Sequence, residues 1–440
     1  MIEDQRALID YVTAQRWFGS KTRDVSQASI VDHATLREGE PPLELQLVEI
    51  RFDTGTHETY QLVSSDELDT LARPDDALEL LNRIREGTTI EGREGTFELE
   101  PMHQGLDGLT DASASVQLIA TEQSNSSVVF DDELILKVFR RLEPGVNPEL
   151  ELLRFLTAHG FEHIPPLAGW YAYTGEPMDA TLGILQRFVP EGVDGWELAL
   201  DTLEGRAAWF HGELRRLGEV TGELHTLLGS DSSDPAFAPE PTSTESLGLL
   251  TATVDEDIEA IFLDLPENDP AVEPLRGRGE EVRERLRLLT SIGGVGRVVR
   301  VHGDFHLGQT LHTDDGWILL DFEGEPARAL PERRRKRSPL RDVAGMLRSF
   351  AYIASAGPIL RGIEPPPGWE AIARAEFLDG YQSHVDPSLV PSGPSMEKLL
   401  QVFELEKAVY ELRYELTHRP HWVKIPVAGI VRMLEEEVPV

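Results

Sequence analysis

One short stretch of this chain constrains its fold and chemistry more than any other feature. Residues 302–309 read His-Gly-Asp-Phe-His-Leu-Gly-Gln, and Asp-Phe-Glu-Gly at 321–324 follows twelve residues later. Between them, two apolar-rich segments flank Thr-Asp-Asp-Gly at 313–316, which is a good turn sequence. The pattern therefore predicts a hairpin that brings the polar residues of both stretches into one cleft.

The polar residues of this cleft suit one kind of chemistry. Asp304 can accept a proton from a substrate hydroxyl, or orient that hydroxyl for attack. The amide oxygen of Gln309 and the carboxylate of Asp321 can hold Mg²⁺ on nucleotide phosphates. These residue types at this spacing predict phosphoryl transfer.

Two other interpretations of the same stretch stay open. His302, Asp304 and His306 also form a His-x-Asp-x-His pattern, which can supply ligands to a hydrolytic metal site. No second cluster of His and Asp lies nearby in the sequence, which weighs against that site. The two histidines can instead pack behind the loop and orient it, and we favour this structural role for them.

The stretch resembles the catalytic loop of the aminoglycoside-phosphotransferase branch of the protein-kinase-like superfamily. That loop reads His-x-Asp-x-x-x-x-Asn, and its metal-binding aspartate lies on the next hairpin. The chain matches at His302 and Asp304 and has Gln309 in place of the Asn. Together with this Gln, Asp-Phe-Glu-Gly-Glu-Pro-Ala-Arg at 321–328 and Ser-Pro-Leu-Arg-Asp-Val-Ala-Gly-Met at 338–346 resemble the maltokinases, which make maltose 1-phosphate from maltose and ATP.

The resemblance implies an α+β fold, bilobal and protein-kinase-like (aminoglycoside phosphotransferase-like), with an N-terminal β-rich cap. We expect a cap at 1–105, a small lobe at 106–190 and a helical large lobe with the catalytic loop at 191–440. Residues 104–113 are rich in Gly, Asp and Ser, which marks a boundary. Arg-Trp-Phe-Gly-Ser-Lys at 16–21 resembles the start of a maltokinase cap, and its physical role would be a buried aromatic pair at a helix end.

Hydrophobic spacing predicts the main elements. Apolar residues at 8, 9 and 12 indicate a first helix, and alternation at 43–52 and 58–63 indicates strands of an independent β-rich module. In the small lobe we expect strands at 115–120, 128–130, 134–139 and 182–190 and a loop at 121–127. In the large lobe we expect helices within 195–198, 210–227 and 258–289, with a long loop at 231–244.

The small lobe would bind the nucleotide. Ser124, Asn125 and Ser126 would form the turn over the triphosphate, where small residues let backbone N–H groups approach phosphate oxygens. Since this turn has no glycine, a plain hairpin is the alternative. Lys137 lies in an apolar strand, where it needs an anionic partner, and a phosphate would be one.

Two further features complete the expected nucleotide site. Asn147 and Pro148 indicate the start of a helix on which Glu149 or Glu151 could orient Lys137. We favour Glu151, which lies beyond the first turn, although either could simply be a carboxylate near a helix N-terminus. Adenine would bind backbone groups from Gln186 to Phe188.

The acceptor site is expected near the C-terminus. Aromatic faces and planar hydrogen-bonding side chains bind sugars, and Arg413, Tyr414 and Trp422 stand close together in a segment rich in both. We group His302 with these residues as a substrate-site candidate, and Glu323 would assist the metal or the sugar. Apolar side chains at helical spacing are also typical of a core helix, which is the alternative for this segment.

Composition excludes several function classes. A net charge of −37 argues against nucleic-acid and anionic-membrane partners, which are bound through clustered Lys and Arg. The one basic run, Arg-Arg-Arg-Lys-Arg at 333–337, is either a solvated loop or a patch that attracts an anionic nucleotide electrostatically. The acidic composition, with six lysines against 35 arginines, fits either a salt-adapted host or a GC-rich genome.

A cytoplasmic location is expected. The N-terminus is acidic, unlike a signal peptide, and no apolar stretch approaches the roughly 20 residues that span a bilayer. The chain has no cysteine, which excludes disulfides and thiolate metal sites and fits a reducing compartment.

The maltokinase resemblance implies ATP-dependent phosphorylation of maltose with Mg²⁺, feeding α-glucan and glycogen synthesis, and trehalose synthase as a partner. The nearest alternative is a kinase of another sugar, such as glucosamine, with the same loop and a different acceptor. A catalytically inactive regulatory module is a further alternative, and the intact Asp304, Asp321 and Lys137 argue against it.

Overall fold

The computed structural model describes residues 5–107, 109, 115–119, 125–242, 244–289, 296–326 and 328–435. The chain divides into two compact units, which are described separately here. Unit 1 comprises residues 1–191 and 327–333, and unit 2 comprises residues 192–326 and 334–440. The first division falls next to residue 190, where the small lobe was expected to end. The three-part boundaries of cap, small lobe and large lobe stay a prediction.

Unit 1 is rich in strands. Its elements in chain order are α1 Gln5–Ala14, β1 Val25–Arg37, β2 Leu43–Phe52, β3 His57–Ser64, α2 Pro74–Glu86, β4 Thr89–Glu91, β5 Gly95–Pro101, α3 His103–Leu106, β6 Val116–Ile119, β7 Asn125–Phe130, β8 Leu134–Phe139, β9 Arg141–Leu142, α4 Pro148–Ala158, β10 Leu167–Gly175 and β11 Ala180–Arg187. The helix and strands expected at 8–12, 43–52, 58–63, 134–139 and 182–190 are present.

The strands of unit 1 form two sheets, with orders β1-β2-β3-β9 and β4-β5-β10-β11-β8-β7-β6. Both sheets contain strands from the expected cap and from the expected small lobe. Strand β5 pairs antiparallel with β10 from Gly95, opposite Gly175, to Pro101, opposite Gly169. Strand β3 likewise pairs with β9. The expected cap is therefore hydrogen-bonded into the lobe and is not an independent module.

A small core of aromatic and aliphatic side chains lies under β1, β2 and β3. Trp17 and Phe18 are buried there, with ring centroids 5.4 Å from Tyr60 and 6.5 Å from Phe52, respectively. The buried aromatic pair expected at the end of the first helix is confirmed. A larger core lies between the second sheet and α2.

Unit 2 is mainly helical. Its elements are β12 Val193–Asp194, α5 Gly195–Thr202, α6 Ala207–Leu228, β13 Glu240–Pro241, α7 Thr244–Leu263, α8 Gly279–Leu289, β14 Arg297–Val298, β15 Thr310–Thr313, β16 Gly316–Leu319, α10 Leu340–Ala356, α11 Trp369–His384, α12 Pro394–His418 and α13 Lys424–Glu435. The short helix α9, Leu330–Arg333, belongs to unit 1. A π-helical turn, Gly357–Arg361, follows α10.

Helices α7, α8, α12 and α13 share one apolar core. The helical stretch expected at 258–289 is interrupted between Leu263 and Gly279. Pro266, Pro270 and Pro274 explain the interruption, because proline lacks the backbone N–H and clashes with the preceding turn. Hydrophobic spacing alone did not weigh these prolines.

The basic run at 333–337 has structural contacts. In unit 1, Arg333 is 5% exposed and pairs with Glu143. In unit 2, Lys336 Nζ lies 2.7 Å from the backbone oxygens of Pro235 and Ala238, and it pairs with Glu240 at 2.6 Å. These contacts neutralise Arg333 and Lys336 internally, so these two of the five cations give no support to electrostatic attraction of a nucleotide.

One apolar helical stretch, Leu340–Arg361, is long enough to cross a membrane by length and composition. The expectation that no apolar stretch approaches roughly 20 residues is therefore wrong for this segment. Two thirds of its most apolar window is buried inside the protein, so this stretch packs in the interior of unit 2.

Candidate active site

The predicted hairpin follows the His-Gly-Asp stretch in unit 2. Strands β15 and β16 pair from Thr310, opposite Leu319, to Thr313, opposite Gly316. The backbone N–H of Leu320 donates to the oxygen of Gln309 at 2.9 Å and extends the ladder by one bond. The hairpin expected between the two polar stretches is thus present, and it brings their ends together.

The two expected metal ligands, Gln309 and Asp321, meet at the open end of the hairpin, opposite its turn. Gln309 Nε2 lies 3.2 Å from Asp321 Oδ2, and a carboxylate oxygen of Glu323 lies within 4.8 Å of one of Asp321. Asp321 has φ of +59°, a left-handed conformation that is uncommon for residues other than glycine and that clusters at functional sites. The local backbone therefore holds this carboxylate in a defined direction.

These donors fit a hard divalent cation. Mg²⁺ prefers oxygen ligands and is usually bound by one or two carboxylates plus substrate phosphates. Asp321 and Glu323 offer carboxylates, and Gln309 can turn its amide oxygen inward, since amide oxygen and nitrogen are assigned only from hydrogen bonding. The residues fit Mg²⁺, while their role as its ligands stays a prediction.

Asp304 pairs with a lysine that the sequence analysis did not identify. Lys407 Nζ, from α12, lies 3.2 Å from Asp304 Oδ1 and 3.2 Å from Glu325 Oε1. Burial opposes the charged form of Lys407, but the carboxylates of Asp304, Glu325 and Glu411 outweigh it and raise its pKa. Lys407 is therefore an ammonium ion that stabilises the Asp304 carboxylate.

The ring of His306 lies among the charged groups of this site. Burial lowers its pKa, and the charges acting on it include those of Asp304, Lys407 and Asp321. Because its pKa is lowered, His306 is neutral at pH 7.

A buried carboxylate on α10 holds the catalytic loop in place. Asp342 is 2% exposed and accepts hydrogen bonds from the backbone N–H groups of His302 at 2.7 Å and Gly303 at 2.9 Å. His225 Nε2 lies 3.1 Å from the same carboxylate. The helix also approaches the loop closely at Gly345, where a Cβ atom would lie 2.5 Å from the backbone oxygen of Phe305.

His302 supports the loop from behind. It is 1% exposed, its Nε2 lies 2.8 Å from the backbone oxygen of Leu320, and its ring packs against Phe305 and Phe322. These contacts support the structural role of His302, and its burial gives no support to grouping it with the sugar-binding residues.

Asp342→Asn is expected to destabilise the protein. The His302 and Gly303 N–H groups donate to different oxygens of Asp342, so the NH2 group of an asparagine would face one of these donors, which we expect to cost about 2 kcal/mol in the free energy of unfolding at pH 7. Burial opposes ionisation of Asp342, but hydrogen bonds and charges from His225, His302 and Gly303 lower its pKa overall. A lowered pKa stabilises the fold above the unfolded-state pKa of about 3.9, and this stabilisation is lost as the pH falls through the folded-state pKa.

Denaturant titrations of both proteins at pH 7 and at several values below pH 4 measure this effect. The difference between wild type and variant should shrink at the lowest pH. Asp314→Asn, in the exposed hairpin turn, is the matched control and should change little. A difference independent of pH, or none at pH 7, would contradict the anchoring role of Asp342.

In unit 1, Lys137 pairs with the first-turn glutamate of α4. Its Nζ lies 2.9 Å from Glu149 Oε2, and the two side chains are 13% and 2% exposed. Of the two candidates, Glu149 makes this contact, which differs from the preference for Glu151. Residues two apart on a helix point about 200° from each other. Asn147 caps the helix as expected, its side chain accepting from the Glu149 N–H at 2.8 Å.

Two of the three residues expected in the phosphate turn lie in a strand. Asn125 and Ser126 lie in β7, opposite Phe139 and Val138, and do not form a turn. Ser126 Oγ accepts a hydrogen bond from Arg140 Nε at 2.8 Å. Ser124 lies outside the described residues. The binding of phosphate by these three residues stays a prediction.

Part of the segment expected to bind adenine is already hydrogen-bonded within unit 1. Gln186 lies within β11 and is paired with Leu167 on one side and Ile135 on the other. The backbone N–H of Phe188 donates to the oxygen of Glu133 at 2.8 Å. That donor is engaged within unit 1, so adenine would have to use other backbone groups of this segment.

The three acceptor candidates near the C-terminus differ in exposure. Arg413 and Tyr414 lie on the exposed side of α12, with side-chain and residue exposures of 62% and 41%, respectively. Tyr414 stacks on His418, with ring centroids 4.4 Å apart. Trp422 is 6% exposed and stacks on Tyr352, which is the packing of a core residue and removes it as a sugar-binding face.

Three residues important to the site were missed. Lys407 resembles any surface lysine of an amphipathic helix, and no sequence pattern links it to Asp304. Glu325 was noted only as part of the maltokinase-like run. Asp342 could have been found, because it is a carboxylate among mostly apolar residues of a helix, where a charge needs a buried partner.

Known proteins resemble this chain in both sequence and fold. A family model described as the phosphotransferase enzyme family matches residues 115–324, and one for the maltokinase N-terminal cap domain matches residues 11–79. A solved glucosamine kinase in complex with glucosamine, ADP and inorganic phosphate has a TM-score of 0.74 at 20% identity, over 97% of this chain and 98% of that one. The fold is that of the kinase-like phosphotransferases. The α+β, kinase-like fold class expected from the sequence is confirmed.

Curated relatives point to the same enzyme class. A glucosamine kinase of Mycolicibacterium smegmatis is 26% identical over 376 residues, which cover 82% of this chain and 87% of the relative. A glucosamine kinase of Streptacidiphilus jiangxiensis is 26% identical over 73% of this chain and 74% of the relative. Together with the family match, these relatives support a phosphotransferase of the kinase type.

Proposed function

We propose that this kinase-like phosphotransferase transfers the γ-phosphoryl group of ATP to the anomeric hydroxyl of maltose, forming maltose 1-phosphate and ADP. The observation that carries the proposal is that Lys407 pairs with both Asp304 and Glu325 in the unit that also holds the Gln309 and Asp321 donor set. The match of residues 11–79 to the maltokinase cap model supports the choice of sugar.

Each candidate site residue would have a separate role in this reaction. The anomeric oxygen of the sugar attacks the γ-phosphorus, and the bond from that phosphorus to the bridging oxygen of ADP breaks. The Asp304 carboxylate accepts the hydroxyl proton, and Lys407 holds that carboxylate in place. Lys137, oriented by Glu149, would contact the phosphates. Mg²⁺ bound by Gln309, Asp321 and Glu323 would neutralise charge on the phosphate oxygens.

The charges around Asp304 do not select the acceptor. Lys407 Nζ lies 3.2 Å from Asp304 Oδ1 and 3.2 Å from Glu325 Oε1, so one ammonium group is shared by two carboxylates and the cluster keeps a net negative charge. The hydroxyl groups of maltose can hydrogen-bond these side chains, and the ammonium group of an amino sugar can pair with them. The choice of maltose therefore depends on the match to the maltokinase cap model.

Glucosamine is the second candidate acceptor. It is favoured by the relatives, since two glucosamine kinases align with most of this chain at 26% identity. Sequence divergence at this level leaves room for a change of acceptor. The two candidates differ in charge and in size, so a direct comparison separates them.

Kinetics with a sugar panel test the proposal. With ATP and Mg²⁺, we expect kcat/KM for maltose to exceed that for glucosamine at least about hundredfold, because a site that fits a disaccharide uses contacts to its second ring that a monosaccharide cannot make. The panel should be run at low and at molar KCl, since a net charge of −37 makes activity sensitive to screening. Glucosamine turned over efficiently while maltose is not would overturn the choice of sugar.

The resemblance to maltokinases also implies a cellular role for the product. The product would feed α-glucan and glycogen synthesis in the cytoplasm, and a trehalose synthase would be the partner enzyme. These assignments are supported by the resemblance alone. They would fail together with the maltose assignment.

A further inference from the structure

A buried arginine joins the N-terminal part of unit 1 to the strands beside Lys137. Arg140 directly follows β8, and its side chain is 3% exposed. Its Nε donates to Ser126 Oγ at 2.8 Å, and its Nη2 lies 2.8 Å from Asp69 Oδ2. Its Nη1 donates to the backbone oxygen of Gln61 at 3.3 Å. One guanidinium group thus bridges the cap sequence and β7.

On the cap side of this bridge, Asp69 compensates the charge of Arg140. The Asp69 side chain is 7% exposed and accepts a second hydrogen bond from the Tyr11 hydroxyl at 3.2 Å. The ring of Trp17 lies 5.5 Å from the Arg140 guanidinium carbon. A buried guanidinium is stable only beside a compensating charge, and Asp69 provides it from the cap.

The lobe side of the bridge lies next to Lys137. Ser126 is the second residue of β7, and its neighbour Ser127 pairs directly with Lys137 of β8. Gln61 of the cap strengthens the same junction, since its Nε2 donates to the backbone oxygen of Phe139 at 2.8 Å. Both strands that carry candidate nucleotide residues are therefore fixed to the cap at one end.

We propose that Arg140 is a positioning residue for the nucleotide, with Asp69 of the cap as its counter-charge. It would act through Ser126 and β8, which set where Lys137 and the start of β7 lie. The cap would then be part of the ATP site without any cap residue touching ATP. This inference rests on the proposed function only in assigning ATP binding to unit 1.

A double-mutant cycle tests the bridge. Asp69→Asn removes the cap charge, Ser126→Ala removes the lobe contact, and the double variant removes both. Calorimetric titration with Mg·ADP should show each single variant binding about fivefold to tenfold more weakly, and the double variant no weaker than the worse single one. The KM for ATP should rise in parallel, while the KM for maltose stays within about twofold.

Control variants separate positioning from general damage. Arg141→Gln removes the next arginine, which is 54% exposed and pairs with Glu58 at 3.1 Å, and it should leave Mg·ADP binding unchanged. Arg140→Lys keeps the charge and should retain more affinity than Arg140→Gln. Thermal unfolding of every variant shows whether unit 1 is still folded.

Several results would overturn the inference. Unchanged Mg·ADP binding in Asp69→Asn would do so, as would additive losses in the double variant, which would mean that Ser126 contacts the nucleotide independently. Equal rises in both KM values would indicate general loosening instead of positioning. Because Mg·ADP binding needs no sugar, the bridge can hold even if maltose is not phosphorylated, and that outcome would reject only the proposed function.

Discussion

Asp304→Asn is expected to reduce turnover by about a hundredfold or more, while nucleotide binding stays nearly intact. Asparagine has almost the same shape and can still accept a hydrogen bond from Lys407, so the loop should keep its geometry. It cannot accept the hydroxyl proton, and a positioned general base typically contributes 10²- to 10⁴-fold. Steady-state kinetics and Mg·ADP titration of the same preparations measure both quantities.

Asp315→Asn is the matched control for this variant. Asp315 is exposed in the hairpin turn of the same unit, so the same chemical change there should leave kcat near the wild-type value. The assignment of Asp304 as base or orienting residue would be abandoned if Asp304→Asn kept most of its activity. Loss of Mg·ADP binding together with activity would instead indicate that the loop had rearranged.

Asp321→Asn is expected to weaken the use of Mg²⁺·ATP strongly, by at least about tenfold in the Mg²⁺ concentration required. Gln309 supplies only a neutral oxygen, so Asp321 would carry most of the anionic charge at the metal, with Glu323 beside it. Gln309→Asn keeps the same amide and shortens its reach by one methylene. We therefore expect Gln309→Asn to cost less than Asp321→Asn.

Metal titrations at saturating ATP compare the two variants. The Asp321→Asn curve should shift to higher Mg²⁺, and the Gln309→Asn curve should lie between that of Asp321→Asn and wild type. An unchanged Mg²⁺ requirement in Asp321→Asn would remove it as the principal ligand. A larger defect in Gln309→Asn would reverse the proposed division of roles between these two residues.

Local signals in the sequence were sufficient for part of the site. The hairpin between Gln309 and Asp321 was predictable because a turn sequence and two flanking apolar segments specify it within twelve residues. The start of α4 was predictable for the same reason, since Asn147 and Pro148 form a local capping signal. These features depend on neighbouring residues, and the structure confirms them.

Contacts between distant residues were not predictable from these signals. Lys407 and Asp304 are 103 positions apart, and nothing near either residue marks the pair. The choice of Glu149 over Glu151 depends on which face of α4 packs toward β8, which helix propensity does not specify. The pairing of β5 with β10 likewise merges two regions that composition had separated at residues 104–113.

The site of phosphorylation tests the central claim most directly. The product formed from maltose and ATP can be isolated and examined by phosphorus and proton NMR. Transfer to the anomeric hydroxyl predicts a phosphorus signal coupled to the proton on carbon 1, together with loss of the reducing end. A phosphate on any other carbon, or no product from maltose while glucosamine is phosphorylated, would contradict the assignment.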